Sequence, residues 1–181
     1  MARVPAADPG LSGAGASSLR VVLGPGAFGS PASLARHVAG LRARGVAASA
    51  VALPRGRAER AAEVFRRLAG PDVVAGGHSF GGRAASLAAA EEPFAGLVLF
   101  GFPLAGRAED RTAHFPRITC PVLLLSGERD ELSPLPELRR RAALLPNGRL
   151  RTFPGADHRL RGALEEALDE AASFIHALRG A

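Results

Sequence analysis

The chain has 181 residues, of which 47% are hydrophobic and 22% are charged, which is typical of a globular domain and excludes disordered and fibrous classes. Its net charge is +6, but all 23 basic residues are arginines spread along the sequence. They indicate solvated surface charge rather than a nucleic-acid-binding stripe. No apolar run approaches the roughly 20 residues of a membrane span, so no membrane association is expected.

The length suits one domain, and we expect it to occupy residues 19–181. Residues 1–18 are rich in Gly, Ala, Ser and Pro, and they contain no continuous apolar block that would indicate a secretory signal. They predict a disordered leader. Cys120 is the single cysteine, so an internal disulfide is excluded and a cytoplasmic location is favoured.

From residue 19 onward, short apolar runs alternate with segments of helical spacing. The predicted strands are 19–23, 46–53, 73–76, 97–100, 122–125 and 150–153. The predicted helices are 33–44, 58–68, 82–91, 135–145 and 163–178. Strands that are nearly all apolar are typical of a parallel sheet covered on both faces. The sequence therefore predicts an α/β fold, a three-layer α/β/α sandwich with a mostly parallel sheet of about six strands.

A candidate nucleophile lies at the end of the third predicted strand, where residues 77–82 read G-H-S-F-G-G. Small residues two places to either side of Ser79 are what a sharp strand-to-helix turn needs, because larger side chains would collide with neighbouring elements. Such a turn holds a serine hydroxyl at the carboxyl end of the sheet, beside a helix N-terminus. The alternative interpretation is an ordinary glycine-rich turn.

A serine hydroxyl is a poor nucleophile unless a base takes its proton and an acid orients that base. His158 follows the last predicted strand in F-P-G-A-D-H at 153–158, and it is the predicted base. His114 lies in an irregular, arginine-rich stretch, and His176 lies within the last predicted helix. Both are weaker alternatives.

The predicted acid is Asp130, which follows the apolar strand 122–125 in a polar loop. A carboxylate at a strand end can reach the histidine loop of the adjacent strand. The alternative role for Asp130 is a turn-forming hydrogen bond. Glu128, Glu131 and Asp157 are the other candidates, and Asp157 is disfavoured because neighbouring side chains in an extended loop point apart.

The predicted oxyanion hole pairs the backbone N–H of Phe80 with a donor from the loop G-P-G-A-F-G at 24–29. Ala27 is the preferred second donor and Phe28 the next, since Pro25 has no N–H. An ordinary glycine-rich turn is the competing interpretation. A phosphate-binding loop is excluded because no Gly-Lys-Ser/Thr follows.

Four sequence blocks in this order resemble the α/β-hydrolase superfamily. They are P-G-A at 25–27, G-G-H-S-F-G-G-R at 76–83, P-V-L-L-L-S-G-E-R-D at 121–130 and G-A-D-H at 155–158. Within the superfamily the chain is similar to small, lidless dienelactone-hydrolase-like proteins, especially the KANL/Tex-type group. The resemblance covers about residues 19–178, and it implies a sheet of six or more strands, a Ser-Asp-His triad and acyl-transfer chemistry.

Two departures from that family pattern stand out. The oxyanion loop has Pro25-Gly26 where the family often has His-Gly, and residues 104–117 are too few for a separate lid domain. We therefore expect an open site. Arg55, Arg107 and Arg111 are candidates to meet an acidic substrate, although surface charge is the simpler interpretation.

The predicted function is a serine hydrolase that cleaves a small ester or thioester through an acyl-enzyme on Ser79. Its expected partner is a small-molecule acyl substrate, with no metal and no organic cofactor. The alternative from another class is a non-catalytic interaction protein that keeps the fold. A nucleic-acid-binding role comes third, and steep weakening of binding with salt would distinguish it.

Overall fold

The structure is a computed structural model that describes residues 19–179, so the predicted leader at 1–18 lies outside the described residues. The strands are β1 (Arg20–Gly24), β2 (Ala47–Ala50), β3 (Gly70–His78), β4 (Phe94–Phe100), β5 (Val122–Gly127) and β6 (Gly148–Phe153). The α-helices are α1 (Ala35–Ala43), α2 (Ala58–Arg66), α3 (Phe80–Ala89), α4 (Ala108–Thr112), α5 (Leu135–Ala142) and α6 (Leu164–Leu178). Short 3-10 turns, Pro31–Leu34 and Phe115–Arg117, precede α1 and follow α4.

The strands form one sheet in the order β2-β1-β3-β4-β5-β6, and every described pairing is parallel. Successive side chains of a strand point to opposite faces of the sheet. In β4, Val98 and Phe100 therefore pack into one core cluster while Leu97 and Leu99 pack into the other. Both faces are buried, which explains why the strands are apolar without alternation.

Helices cover both faces of the sheet. On one face lie α1 and α6, whose Leu41 and Leu168 belong to the first core cluster. On the other lie α2, α3 and α5, with Phe65, Ala85 and Leu138 in the second cluster. The predicted three-layer α/β/α sandwich with a parallel sheet of six strands is confirmed.

The sheet order brings two loops together at its carboxyl edge. From β1 the chain moves outward to β2, and it then returns to place β3 on the other side of β1. Such a switch in direction leaves a crevice between the loops that follow the two central strands. Gly24 at the end of β1 is in register with Gly77 near the end of β3. The loop at 24–29 and the turn at Ser79 therefore lie side by side.

Most element boundaries differ from the prediction by a few residues, and two differences matter most: the early end of β2 and the presence of α4. Strand β2 ends at Ala50 rather than at residue 53, because it is an edge strand and its pairing with β1 ends there apart from one bond from Val51 N–H to the Leu23 carbonyl. Helix α4 lies in the stretch predicted to be irregular. Its five residues have no apolar periodicity, and Arg107–Asp110 and Thr112–Ala108 contacts close the turn.

No helix within residues 19–179 is both long enough and apolar enough to cross a membrane.

Candidate active site

The candidate nucleophile Ser79 lies at the junction of β3 and α3 with a backbone φ of 53° and ψ of −113°. This conformation is strained for a residue with a side chain, and the surrounding structure must hold it in place. The Ser79 N–H donates to the Phe100 carbonyl at 2.9 Å, and the Arg83 N–H donates to the Ser79 carbonyl at 3.0 Å. The strained residue is therefore anchored to β4 on one side and to α3 on the other.

The flanking glycines are required by close packing against β1. A Cβ atom at Gly77 would lie 2.1 Å from the Gly24 carbonyl oxygen, and one at Gly81 would lie 2.0 Å from the same oxygen. Gly77 also has a φ of +146°, a conformation that L side chains rarely adopt. The sharp turn is thus possible only with glycine at both positions, as the sequence interpretation supposed.

His158 lies in the loop between β6 and α6 and reaches both other members of the predicted triad. Its Nε2 is 2.9 Å from Ser79 Oγ, and its Nδ1 is 2.8 Å from Asp130 Oδ2. An ionised carboxylate only accepts hydrogen bonds, so Nδ1 carries the hydrogen and Nε2 is left to accept from the Ser79 hydroxyl. This is the tautomer that a base toward serine needs.

Asp130 is held rigidly in the loop after β5, and its side chain is fully buried. One carboxylate oxygen accepts from His158, and the other accepts from the Leu132 N–H at 2.8 Å. This loop packs so closely against the histidine loop that a Cβ atom at Gly127 would lie 2.2 Å from the Ala156 carbonyl oxygen. The acid and base loops are therefore in direct contact.

The alternative acids make other contacts. Asp157 accepts from the N–H groups of Arg159 and Arg161 at 3.0 and 3.1 Å, and hydrogen bonding to the Arg161 backbone is the main cause that lowers the pKa of Asp157. Glu128 accepts from the Thr152 hydroxyl at 3.0 Å. Glu131 is exposed. Of these candidates the structure brings only Asp130 to His158.

The alternative bases also lie elsewhere. His114 Nε2 is 2.8 Å from Ser86 Oγ in the core, and burial lowers the pKa of His114 to about 4. His176 donates from Nε2 to the Arg44 carbonyl at 2.9 Å on the exposed side of α6. Neither imidazole contacts Ser79.

The predicted oxyanion donors face a common cavity of about 570 Å³, which Ala27, Ser79 and Phe80 all line. In the described part of the chain, neither the Ala27 nor the Phe80 N–H donates to a protein acceptor. Phe80 begins α3, and the first N–H groups of a helix have no partner within it. Phe28 does not line this cavity, and this residue is 96% exposed.

His78, the residue just before Ser79, has a position in the structure that its sequence pattern did not reveal. Its Nε2 lies 3.0 Å from the His158 carbonyl oxygen, and its ring lies 4.9 Å from the His158 ring between centroids. A carbonyl only accepts, so His78 Nε2 donates, and this bond ties β3 to the loop of the base. Burial is the main cause that lowers the pKa of His78, which favours the neutral ring. Its place at a strand end beside the serine is the only signal in the sequence.

Arg107 and Arg111 line the same cavity as Ser79, whereas Arg55 does not. Arg57 and Arg83, which were not candidates from the sequence, line this cavity as well. Within residues 19–179, no group of three or more His, Cys, Asp and Glu side chains is arranged to hold a metal ion.

A parallel sheet that presents a serine on a strained strand-to-helix turn, with a histidine and a buried carboxylate on following strand ends, is the arrangement of α/β hydrolases. The family model described as "Alpha/beta hydrolase domain" matches residues 51–180, and the chain belongs to this family. The resemblance to α/β hydrolases of the dienelactone-hydrolase-like kind is confirmed. Membership of the narrower KANL/Tex-type group stays a prediction.

Solved structures with low sequence identity share this fold. The monoacylglycerol lipase of Paleococcus ferrophilus is 18% identical with a TM-score of 0.75, covering 89% of this chain and 96% of its own. The dienelactone hydrolase of Anabaena variabilis is 23% identical with a TM-score of 0.74, covering 88% of this chain and 87% of its own. Est1E of Butyrivibrio proteoclasticus, solved with ferulic acid, is 16% identical with a TM-score of 0.73, covering 91% of each chain. Among curated proteins, none matches this sequence significantly.

Proposed function

We propose that this chain is a serine hydrolase that cleaves small esters or thioesters through an acyl-enzyme on Ser79. The observation that carries the proposal is the continuous line of hydrogen bonds from Asp130 through His158 to Ser79, at 2.8 and 2.9 Å. The line ends at a cavity of about 570 Å³, a size suited to small molecules. Packing alone gives no reason for these three side chains to converge at three separate strand ends.

In the proposed acylation step, Ser79 Oγ attacks the carbonyl carbon while His158 Nε2 takes the hydroxyl proton. Asp130 accepts the hydrogen bond from Nδ1, which fixes the ring and stabilises the imidazolium that forms. The N–H groups of Ala27 and Phe80 donate to the oxyanion of the tetrahedral intermediate. When the intermediate collapses, the scissile C–O or C–S bond breaks, and the leaving group takes the proton from His158 and departs as an alcohol or thiol.

Deacylation repeats these steps with water as the nucleophile. His158 Nε2 takes a proton from the water as its oxygen attacks the acyl carbon. The second tetrahedral intermediate then releases the carboxylic acid, and the proton on His158 returns to Ser79 Oγ. The described residues that act in this cycle are the same five as in acylation.

The proposed location is the cytoplasm. The chain has one cysteine, Cys120, which has no partner for an internal disulfide. Burial raises the pKa of Cys120 to about 11, so the thiol is largely protonated and unreactive at neutral pH. A reducing compartment suits such a chain.

A fluorophosphonate probe tests the proposal because it forms a covalent adduct with an activated serine. We expect a single adduct on the wild-type protein, with peptide mapping that places it at Ser79, and no adduct on Ser79→Ala. The matched control is Ser86→Ala, which removes another serine that contacts a histidine and should leave labelling unchanged. Folded protein that takes up no label would favour the non-catalytic alternative.

A further inference from the structure

The cavity beside Ser79 carries an excess of positive charge. Its lining contains four arginines and two carboxylates, which are Arg57, Arg83, Arg107, Arg111, Glu59 and Asp110. Four positive and two negative charges leave a formal net charge of +2. A cavity of this kind, set next to a nucleophile, favours a negatively charged ligand.

The two carboxylates are already engaged by three of the arginines. Glu59 pairs with Arg57 at 3.5 Å and with Arg83 at 3.2 Å. Asp110 pairs with Arg107 at 2.9 Å. The cavity therefore has no unengaged carboxylate for the fourth arginine among the residues that the structure describes.

That fourth arginine is Arg111 on α4. Within residues 19–179, no carboxylate oxygen lies within 4.0 Å of its guanidinium, and its hydrogen bond goes to the Pro103 carbonyl at 3.3 Å. Burial lowers the pKa of Arg111, and the positive charges of Arg83 and Arg107 lower it further. Arg83 donates to Glu59 from one terminal nitrogen at 3.2 Å, while its Nε is buried with no hydrogen-bond partner among the described residues. The guanidiniums of Arg83 and Arg111 therefore have N–H donors that no acceptor among the described residues engages.

Arg83 stands close to the nucleophile. Its backbone N–H donates to the Ser79 carbonyl at 3.0 Å, so Arg83 lies in the first turn of α3. Ser79, Arg83 and Arg111 all line the same cavity of about 570 Å³, so a ligand that fills it can contact the Ser79 hydroxyl and both guanidiniums.

We propose that Arg83 and Arg111, here called the arginine pair, bind a carboxylate carried by the substrate. The inference rests on the proposed function and narrows it to hydrolysis of a carboxylate-bearing ester or thioester. The planar guanidinium donates two parallel hydrogen bonds to the two oxygens of a carboxylate, which makes this group its matching ligand. The carboxylate is on either the acyl or the alcohol part of the substrate.

Two pairs of esters test whether the protein prefers a substrate with a carboxylate. They also show whether that carboxylate is on the acyl part or on the alcohol part. The acyl pair is the p-nitrophenyl monoester of adipic acid against p-nitrophenyl hexanoate, and the alcohol pair is 4-acetoxybenzoate against its methyl ester. We expect kcat/KM to favour the anionic member of one pair by roughly tenfold or more, as charge-assisted hydrogen bonds allow. The preference should shrink as ionic strength rises. Equal kcat/KM within both pairs overturns the inference.

Variants assign the preference to the arginine pair. Arg111→Gln should cut the anionic-to-neutral ratio by roughly tenfold, mainly through KM, and Arg111→Lys should retain part of it. The matched control is Arg139→Gln, which removes one exposed charge from α5, away from the cavity lining. A ratio that falls equally in Arg139→Gln reflects net charge alone and overturns the inference.

Binding to an inactive variant separates this inference from the proposed function. Calorimetry should show that the Ser79→Ala variant binds monomethyl adipate more tightly than methyl hexanoate. Adding the Arg111→Gln change should abolish this difference in affinity. If the wild type turns over esters without preferring those that carry a carboxylate, only the proposed role of the arginine pair is overturned. Arg111-dependent binding without any wild-type turnover supports the pair and overturns the hydrolase proposal. Absence of both overturns both.

Discussion

Two serine–histidine hydrogen bonds of nearly equal length lie near the two ends of α3. Ser79 Oγ is 2.9 Å from His158 Nε2, and Ser86 Oγ is 2.8 Å from His114 Nε2. The second bond is buried, with Ser86 at 0% and His114 at 4% exposure. The first lies at the cavity that Ser79 lines.

The donor and acceptor roles of serine and histidine are reversed between the two sites. The Ser86 hydroxyl donates to the Arg83 carbonyl at 2.8 Å, which uses its only hydrogen, so His114 Nε2–H donates to Ser86. At the other site the carboxylate of Asp130 takes the Nδ1 hydrogen, and the Ser79 hydroxyl donates to the ring. Distance alone therefore does not make a nucleophile. A carboxylate behind the imidazole, an accessible position and a strained serine backbone distinguish the two sites.

The largest expected effect comes from removing each serine in turn. Ser79→Ala should lower kcat for a short p-nitrophenyl ester by roughly 10⁴- to 10⁶-fold, because members of a triad act as a unit. Ser86→Ala removes a buried hydrogen-bond partner and should cost about 1–3 kcal/mol of unfolding free energy, but kcat should stay within a few-fold. Steady-state kinetics on both variants, with circular dichroism as the check on folding, decides the comparison. Substantial turnover by Ser79→Ala would make the two sites equivalent.

A smaller loss is expected when the carboxylate behind the imidazole is changed. Asp130→Asn should lower kcat by roughly 10²- to 10⁴-fold, since the amide keeps the shape but favours the wrong tautomer of His158. Asp157→Asn is the matched control, because it alters the neighbouring acid that caps the turn at Arg159 and Arg161. Its loss should be less than about tenfold. The reverse order of the two losses would make Asp130 a turn residue.

The sequence predicted the residues of the first site because each stands at a strand end in a parallel sheet. Apolar runs locate the strands, and the carboxyl ends of parallel strands meet at one edge. Gly77 and Gly81 carry a further signal, since only glycine fits against the Gly24 carbonyl at both positions. Fold and candidate triad therefore follow from local pattern and topology.

The second site gave no such signal. Ser86 lies within α3, and His114 lies between α4 and a 3-10 turn in a stretch predicted to be irregular. Their contact depends on how that stretch packs over α3, which no local pattern specifies. Of the arginine pair, Arg111 was a candidate from the sequence, whereas Arg83 was not. The position of Arg111 at the cavity depends on α4, a five-residue helix that no apolar periodicity predicts.

The smallest expected effect concerns the protonation of the buried imidazole. Burial lowers the pKa of His114 from 6.5 to about 4, so the unfolded chain binds its proton at a higher pH than the folded one does. Stability is then fully present above pH 6.5 and falls as the pH drops toward 4. The difference of about 2.5 pH units corresponds to about 3 kcal/mol of unfolding free energy.

Chemical denaturation at pH 7.5 and 4.5 measures this loss in the wild type and in His114→Gln, whose amide still donates to Ser86. The variant should lose about 2–3 kcal/mol less than the wild type between the two pH values, because it has no imidazole to protonate. His37 is a partly buried histidine whose pKa burial also lowers to about 4, and it contributes the same loss of unfolding free energy in both proteins. An equal loss in both proteins would mean that His114 takes up its proton in the folded state, as an accessible imidazole does. Burial would then not keep His114 neutral, and the difference in protonation between the two serine–histidine pairs would no longer hold.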